Sequence, residues 1–472
     1  MNAPATIIVG GGLSALMAAL FIRKVDQERP ICVIEQGDAV GGLLRAFDCG
    51  EWGKFDQGMH TFTTSSLPEL NRFVESLLPP EDWIYLRDAQ RDISGLYYQD
   101  KLQHHCHYPD LRSLPPPILD RCASELQFKF KAPSTVSFDT MEQYGRERFG
   151  DAITREVIAP TLQKLYGRDP GQIDPVVAKL LPLDRVALFD EPEFKSMLPV
   201  DAIRSRVAYP EQRRLPLKYS SGHYSFYPKA FGAHRLVDAI VARLKATGVQ
   251  LLTRTHLRGL VRDGDRITQV AMEGSEGLHK INTAQVYWTA GALPLARTLG
   301  LPIGGERFEG PKVAAVMNLL LDRPPNVGDL YYFWCFDPKY QAFRITNFHN
   351  YCPAAIRRGG YPVCVEFFLD PETPHDDASM IYLTVKELTA FGVLAPGTKI
   401  LCHAGHVLPV GFPILSCHNR DLLNSARNDI SGLGIANLAL TGIQAEWGVV
   451  FQPDVLAHTY TTVSAMEGRP CL

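Results

Sequence analysis

The chain has 472 residues, of which 46% are hydrophobic and 21% charged, and its 48 basic and 51 acidic side chains give a formal net charge of -3. This composition excludes a disordered or fibrous protein. Because Lys and Arg form no dense block, it also argues against nucleic acid or an anionic membrane as a partner. The length predicts two or three domains. The ten cysteines form no C-x-x-C pair, which favours a reducing, cytoplasmic setting over a disulfide framework or a zinc site.

Residues 7–24, IIVGGGLSALMAALFIRK, have three interpretations: a secretion signal, a short membrane anchor, or a strand, glycine turn and helix that hold a dinucleotide. A secretion signal is disfavoured because no Lys or Arg precedes Arg23 and glycines interrupt the apolar run. A membrane span needs about 20 apolar residues, and the run at 13–22 has about half of that. We therefore expect no membrane span here.

The third interpretation is supported by a nucleotide-binding fingerprint. A β-branched run at 6–9 predicts a buried strand, and Gly10, Gly12 and Ala15 match G-x-G-x-x-[GA] before a helix that reaches about Lys24. The first glycine makes the tight turn, the second lets the backbone approach a pyrophosphate, and the alanine lets helix and strand pack closely. A second strand at 31–34 ends at Glu35, whose carboxylate suits ribose hydroxyls. The pattern predicts a dinucleotide site.

Three further segments indicate which dinucleotide. Gly41 and Gly42 with Arg45, and then FDQGMHTF at 55–62, follow the second strand. The run at 232–272 reads as a helix, a strand and a hairpin, and the run at 284–301 reads as a strand that breaks at 289–291. Residues 437–467 read as a strand, a loop and a closing helix with Pro453 near its first turn. This order resembles the FAD-dependent amine oxidase and protoporphyrinogen oxidase superfamily.

The resemblance implies an α/β fold with a discontinuous, Rossmann-like FAD-binding domain (1–60, 226–295 and 431–472) and a mixed α+β substrate domain (61–225 and 296–430). It implies FAD contacts along the fingerprint, the second glycine segment, the 55–62 segment, the two returning strands and the closing helix. The expected cofactor residues are Gly10, Gly12, Leu13, Ser14, Glu35, Gln36, Gly42, Leu43, Arg45, Met59, His60, Leu257, Ala290, Pro453 and Asp454. The chain departs from the superfamily at Gly442 and Ile443, where most members have Gly-Asp or Gly-Arg, so a contact to the ribityl or phosphate region is missing or supplied elsewhere.

Two degenerate motifs resemble the UDP-galactopyranose mutase branch. VIAPTLQKLYGRDPGQID at 157–174 is similar to an aromatic- and lysine-containing run of those enzymes, and FDQGMHTF is similar to the segment that places a histidine against the flavin. The resemblance implies that His60, the one catalytic candidate, lies near flavin N5. It also implies that Lys164 and Tyr166 lie near the junction of the two domains.

Aromatic and polar residues concentrate at 330–353, where a strand pair would place Tyr332 and Trp334 on one strand and Arg344 on another. Rings stack on sugars or bases and an Arg binds phosphate or carboxylate, so we expect these three, with Tyr166 and Trp447, to line the substrate site. Such rings also serve as core. HHCH at 104–107 invites a metal interpretation, but adjacent residues of a strand point to opposite faces, so no metal is expected.

Three functional hypotheses follow. The first is an FAD-dependent oxidoreductase that takes a hydride from a C–N, C–O or C–C bond of a small-molecule substrate, with His60 positioning flavin or substrate. The second is a redox-neutral, mutase-like enzyme on a nucleotide sugar. The third is a flavin-binding scaffold without turnover. Homodimerisation stays an open alternative in each.

Overall fold

The computed structural model describes residues 4–91, 93–131, 137–302, 308–369, 376–408 and 412–472. Its strands are, in chain order, β1 (Ala5–Val9), β2 (Ile31–Ile34), β3 (Ala46–Asp48), β4 (Lys54–Asp56), β5 (Phe62–Thr63), β6 (Trp83–Leu86), β7 (Ser94–Tyr98), β8 (Lys101–Gln103), β9 (Ser225–Pro228), β10 (Gln250–Leu252), β11 (His256–Asp263), β12 (Arg266–Gly274), β13 (Gly277–Trp288), β14 (Val313–Leu321), β15 (Tyr332–Cys335), β16 (Ala342–Asn347), β17 (Tyr361–Leu369), β18 (Ile400–Val407) and β19 (Leu438–Leu440).

The helices over the same ranges are α1 (Leu13–Val25), α2 (Pro68–Glu75), α3 (Pro116–Lys129), α4 (Met141–Arg148), α5 (Asp151–Ile153), α6 (Ala159–Tyr166), α7 (Val177–Leu180), α8 (Glu191–Met197), α9 (Asp201–Arg204), α10 (His234–Ala246), α11 (Ala292–Thr298), α12 (Asp377–Ala390), α13 (Cys417–Gly432) and α14 (Gln452–Glu467). A π-helical turn over Thr154–Ile158 joins α5 to α6. Across these ranges, no helix combines the length and the apolar character that crossing a membrane requires.

The first sheet is built around parallel strands in the order β10-β2-β1-β13, with β19 also parallel to β13. The strands β13, β12 and β11 continue it as an antiparallel meander. The apolar run of β1 is buried because helices cover it, and α1 packs against α14 and α10. The predicted strands at 6–9 and 31–34, the hairpin near 264 and the closing helix are confirmed. The stretch 7–24 is therefore strand, turn and buried helix.

The second sheet has the order β18-β14-β17-β16-β15-β7-β8 and is antiparallel except for the parallel pair β15 and β7. Its central strands are apolar and buried, and they contribute to a hydrophobic core that also contains α1. A helical region from α3 to α9 packs around its own core, which includes Tyr166. The strand pair predicted at 330–353 is confirmed, with Trp334 opposite Arg344.

The HHCH run lies outside any strand, because β8 ends at Gln103. The prediction of alternating faces was therefore wrong. His105 Nε2 lies 2.8 Å from Asp110 Oδ2, and His107 Nδ1 lies 2.9 Å from Ser94 Oγ. Among the described residues, no group of three or more His, Cys, Asp or Glu side chains is arranged to hold a metal ion.

Candidate active site

The parallel strands of the first sheet end at one common edge, where the fingerprint lies. The backbone N–H of Gly10 donates to Ile34 O at 2.9 Å, and that of Thr289 donates to Val9 O at 2.9 Å. Farther along the same edge, the N–H of Thr441 donates to Trp288 O at 2.8 Å. The turns after β1, β2, β13 and β19 therefore meet there. This is the position at which open parallel sheets bind their ligands.

The glycines of the fingerprint are required by close approaches and by open space. Gly10 has φ of 104°, and a Cβ atom on it would lie 2.4 Å from Thr289 Oγ1, so the turn admits only glycine. At Gly12, which precedes the first residue of α1, a Cβ atom would meet nothing within 4 Å. Gly12 has no capping side chain, and the first N–H groups of α1 have no acceptor within the helix. The geometry fits an anion such as a pyrophosphate.

The turn at 10–12 and the first turn of α1 form a glycine cradle, and a second backbone segment closes it. The N–H of Gly41 donates to Gly11 O at 2.7 Å, which holds the 41–45 turn against the fingerprint. Arg45 pairs with Asp38 at 2.7 Å on the rim. Leu43 and Ile443, which follow the glycines at 42 and 442, are 38% and 40% exposed, and Phe451, at the start of α14, is 42% exposed. Exposed apolar side chains around a cradle mark a surface that a ligand covers.

Glu35 lies where a ribose-binding carboxylate is expected, at the end of β2. Its Oε2 accepts a hydrogen bond from the Gly11 N–H at 2.7 Å, and its Oε1 accepts one from Gly37 at 2.6 Å. The remaining cofactor candidates differ in their exposure. Gln36, Ala290 and Asp454 are exposed, Leu13, Met59, Leu257 and Pro453 are half-buried, and Ser14 is buried. Partial desolvation in the first turn of α14 raises the pKa of Asp454.

His60 is held by a buried anchor in the preceding segment. The Asp56 carboxylate accepts hydrogen bonds from the Tyr227 hydroxyl at 2.5 Å and from the Ala233 N–H at 3.0 Å. His60 Nε2 lies 3.2 Å from Gln57 O, so it carries the proton and donates to that carbonyl. Burial lowers the pKa of His60, against the opposing charge of Asp56. The imidazole is therefore neutral at neutral pH, and its Nδ1 is a hydrogen-bond acceptor.

The second sheet presents one face to this segment. A Cβ atom on Gly58 would lie 2.5 Å from Glu366 Oε1, and Asn318 Nδ2 lies 3.4 Å from Asp56 O. Glu366 binds Arg344 through two hydrogen bonds, at 2.5 and 2.7 Å. The guanidinium of Arg344 also lies over the Trp334 ring, 5.2 Å from its centroid. The Arg344 guanidinium, which the sequence predicts to bind a substrate anion, is thus already bound by Glu366.

An aromatic group continues from this pair toward the helical region. The rings of Phe343 and Phe368 stack at 3.8 Å, and those of Phe368 and Phe412 at 4.4 Å. Tyr166 lies against Phe412 at 6.1 Å. Its hydroxyl is buried and has no hydrogen-bond partner among the described residues, and burial raises its pKa. Trp447 packs against this group and against the core of the first sheet.

Sequence reasoning thus placed Tyr332 and Trp334 on one strand and Arg344 on another, as the structure has them, but it missed Glu366 and Asp56. Asp56 lies within the quoted FDQGMHTF segment and has no distinguishing local signal. Glu366 is the one acidic residue in the apolar strand YPVCVEFFL, a signal that could have found it. The Lys164 ammonium is held by the second sheet, since it donates to Cys335 O at 2.6 Å and to Ala342 O at 3.0 Å.

Comparisons with known proteins agree with this architecture. Residues 8–77 match the family described as NAD(P)-binding Rossmann-like domain. No curated protein has a sequence that matches the chain.

Similar solved structures cover nearly the whole chain. Reduced UDP-galactopyranose mutase is similar with a TM-score of 0.75 and 17% identity, over 99% of this chain and 96% of that one. A protein assigned as a protoporphyrinogen oxidase, from Exiguobacterium sp. 255-15, has a TM-score of 0.69 and 14% identity over 99% of both chains. Cyclohexylamine oxidase from Brevibacterium oxydans IH-35A has a TM-score of 0.59 and 12% identity, again over 99% of both chains. The chain therefore has the fold of these proteins, and the fold expected from its resemblance to the FAD-dependent amine oxidase and protoporphyrinogen oxidase superfamily is confirmed.

Proposed function

We propose that the chain binds FAD and is an FAD-dependent oxidoreductase that takes a hydride from a small-molecule substrate. The observation that carries this proposal is the glycine cradle at the strand edge, beside the open first turn of α1. When bound, FAD supplies a redox-active ring that accepts a hydride from a C–N, C–O or C–C bond. The protein's residues bind that ring system, orient the substrate and handle protons.

The cofactor contacts divide among the elements that meet at the edge. The N–H groups at Gly12, Leu13 and Ser14 hold the pyrophosphate, where the α1 dipole favours negative charge. Glu35 holds a ribose through its carboxylate. The other proposed contacts are Gly10, Gln36, Gly42, Leu43, Arg45, Met59, Leu257, Ala290, Pro453 and Asp454.

His60 is the proposed catalytic residue. Its Nε2–H is committed to Gln57 O, so its Nδ1 is available to accept a proton from a substrate O–H or N–H as the hydride leaves. The depressed pKa keeps this nitrogen unprotonated at neutral pH. Asp56 positions His60 by fixing the segment that carries it.

The pairing of three arginines favours an uncharged or aromatic substrate over a nucleotide sugar. A diphosphate calls for cations that are free to bind it. Arg344 is paired with Glu366, Arg168 with Glu309 at 3.1 Å, and Arg420 with Asp174 at 2.9 Å. The rings of Tyr332, Trp334, Tyr166 and Trp447 complete the proposed substrate wall.

A second candidate function is redox-neutral isomerisation of a nucleotide sugar. It is favoured by the TM-score of 0.75 with UDP-galactopyranose mutase, which is higher than the 0.59 with cyclohexylamine oxidase. Under this alternative, the Arg344–Glu366 pair would have to open to bind the diphosphate.

We propose the reducing cytoplasm as the location because all ten cysteines are free thiols.

Anaerobic reduction of the FAD-loaded protein separates these functions. The oxidoreductase is expected to lose its flavin absorption when mixed with its substrate, in a panel of amines, alcohols and compounds with activated C–C bonds. A mutase is expected to show no bleaching but, after chemical reduction, to convert UDP-galactopyranose to an isomer without net oxidation. Conversion without bleaching would replace our proposal with the second candidate. If neither bleaching nor conversion occurs, the protein is a flavin-binding scaffold without turnover.

A further inference from the structure

A chain of buried side chains links α14 to the first turn of α1. Ser14 Oγ lies 2.8 Å from Thr459 Oγ1, and the Thr441 hydroxyl donates to Thr459 Oγ1 at 3.2 Å. Thr441 Oγ1 is also 3.1 Å from His458 Nδ1, which lies farther from Thr462 Oγ1, at 3.4 Å. Thr441 and Thr459 are fully buried and Ser14 is 6% exposed, so water does not compete for these hydroxyls. This row of hydrogen bonds begins at Ser14, beside the glycine cradle, and ends at the titratable imidazole of His458.

The direction of the hydrogen bonds follows from Thr459. Its hydroxyl hydrogen is donated to Val455 O at 2.7 Å, so Thr459 Oγ1 accepts from its other neighbours. Ser14 is therefore the donor in the 2.8 Å contact, and its single hydrogen points away from the cradle. A Ser14 hydroxyl that is to bind a phosphate oxygen must turn its hydrogen toward the cradle.

His458 decides whether that turn is favourable. When the imidazole is neutral with its hydrogen on Nε2, Thr441, the nearer of the two hydroxyls at Nδ1, turns its single hydrogen from Thr459 to that nitrogen. Thr459 then depends on Ser14, and turning Ser14 would leave a buried oxygen without a donor. When Nδ1 carries a hydrogen, it donates to Thr441, and Thr441 donates to Thr459. Ser14 is then released.

We infer that His458 is a positioning residue whose protonation turns the Ser14 hydroxyl toward the pyrophosphate of bound FAD, an inference that rests on the proposed FAD site. The turned Ser14 hydroxyl supplies the contact that a charged residue, directly after the loop glycine, supplies in most members of the superfamily. In this chain that position is Ile443. A Cβ atom on Gly442 would lie 3.0 Å from Ser14 Oγ, so the loop between β19 and α14 directly adjoins the Ser14 hydroxyl.

The charged groups that face His458 set the pH range. Glu446 Oε2 lies 3.7 Å from His458 Nε2, and Arg427 of α13 opposes its effect. Burial lowers the pKa of His458 below its usual value, and Glu446 only partly offsets this. The bound pyrophosphate raises that pKa. FAD affinity is therefore highest below the pKa of the free protein, falls as the pH rises through the pKa of the complex, and is constant above it.

The test is the dissociation constant of FAD, measured against pH by titrating the full-length protein stripped of flavin. The wild-type protein is expected to bind about fivefold more tightly at the acidic plateau, the effect of one hydrogen bond. In His458→Asn, the amide can donate to Thr441 at every pH, so we expect tight binding without pH dependence. In His458→Leu, we expect weak binding without pH dependence. Thr441→Val retains the histidine but breaks the chain and is expected to lose most of the dependence.

The control is His403→Asn, which changes a histidine on β18 that is 3.0 Å from Asp377 and should retain the wild-type pH profile. If both His458 variants keep the wild-type dependence of FAD affinity on pH, the inference is overturned while the FAD site remains intact. A wild-type protein that binds FAD equally at every pH would also overturn it. No FAD binding at any pH would contradict the proposed function and, with it, this inference.

Discussion

The two large sheets differ in how their functional residues are encoded. The first sheet collects its ligand-binding turns at the ends of parallel strands, and each turn follows directly from its own strand in the sequence. In the second sheet, the functional face is assembled from strands distant in the chain, since β7 (Ser94–Tyr98) pairs with β15 (Tyr332–Cys335) and Arg344 pairs with Glu366. The difference teaches that the proposed cofactor site is local in sequence while the proposed substrate wall is not.

Backbone groups dominate the first site and side chains dominate the second. The cradle depends on N–H groups and on glycines that leave space, so the substitutions that damage it are those that fill space. The substrate face depends on a buried ion pair and on stacked rings, so the substitutions that damage it are those that remove a partner. The predictions below test this contrast.

The largest effect is expected from filling the cradle. Gly12→Glu places a carboxylate where the pyrophosphate is proposed to bind, and it should weaken FAD binding by roughly 100-fold or more because like charges meet at a buried site. A Cβ atom at Gly12 meets no neighbour within 4 Å, so folding should be unaffected. Flavin content and thermal unfolding measure the two effects.

The matched control is Gly432→Glu at the end of α13, where a Cβ atom also has no neighbour within 4 Å. It adds the same charge away from the cradle and should retain FAD. A Gly12→Glu protein with a full complement of FAD would show that the fingerprint is not the binding site.

Breaking the ion pair tests the second sheet. Arg344→Ala leaves the Glu366 carboxylate buried without its partner, and we expect the free energy of unfolding to fall by about 3 kcal/mol. The two side chains are 20% and 10% exposed, so solvent screens the pair little. Replacing both, as Arg344→Met with Glu366→Leu, should restore most of that loss. Denaturant unfolding of the three proteins measures it, and equal stability of Arg344→Ala and wild type would refute the role of the pair.

His60 links the two regions. His60→Ala should slow the reduction of bound flavin by substrate by about 100-fold, as expected when a general base is lost. Because only neutral His60 accepts a proton, the wild-type rate should fall as the pH drops below its lowered pKa, and the variant should lose this dependence. Stopped-flow reduction measures both, with exposed His223→Ala as the control. An unchanged rate and flavin spectrum in His60→Ala would remove His60 from the site.

The smallest effect is expected at the ribose position. Glu35→Ala removes a carboxylate that accepts hydrogen bonds from the N–H groups of Gly11 and Gly37, and we expect FAD affinity to fall about tenfold. Calorimetric titration measures this, with Glu28→Ala on the exposed loop before β2 as the control. Identical affinities for the two variants would show that Glu35 holds only the apoprotein turn.

The sequence predicts the first sheet well because its signals are local. A β-branched run, glycines at fixed spacing and a carboxylate after the next strand are each dictated by neighbouring residues, and the structure has β1, α1 and β2 where they predict them. The closing helix was also predictable, because Pro453 is preorganised for a first turn.

The substrate face was only partly predictable because its partners come together through tertiary pairing. The alternation at 332–346 placed Tyr332, Trp334 and Arg344 on adjacent strands, but nothing near Arg344 indicates that Glu366 occupies its fork. Likewise, the hydrogen bonds from Tyr227 to Asp56 and from Ser14 to Thr459 span more than 150 residues. Such contacts are determined by the fold and leave no periodic trace.

The central claim is that this chain holds FAD in the glycine cradle, and the flavin content of the purified protein tests it most directly. Denaturing the protein as expressed and quantifying the released flavin should yield one FAD per chain, or stoichiometric uptake when FAD is added to the stripped protein. Protein that contains no flavin and takes up none would contradict the claim.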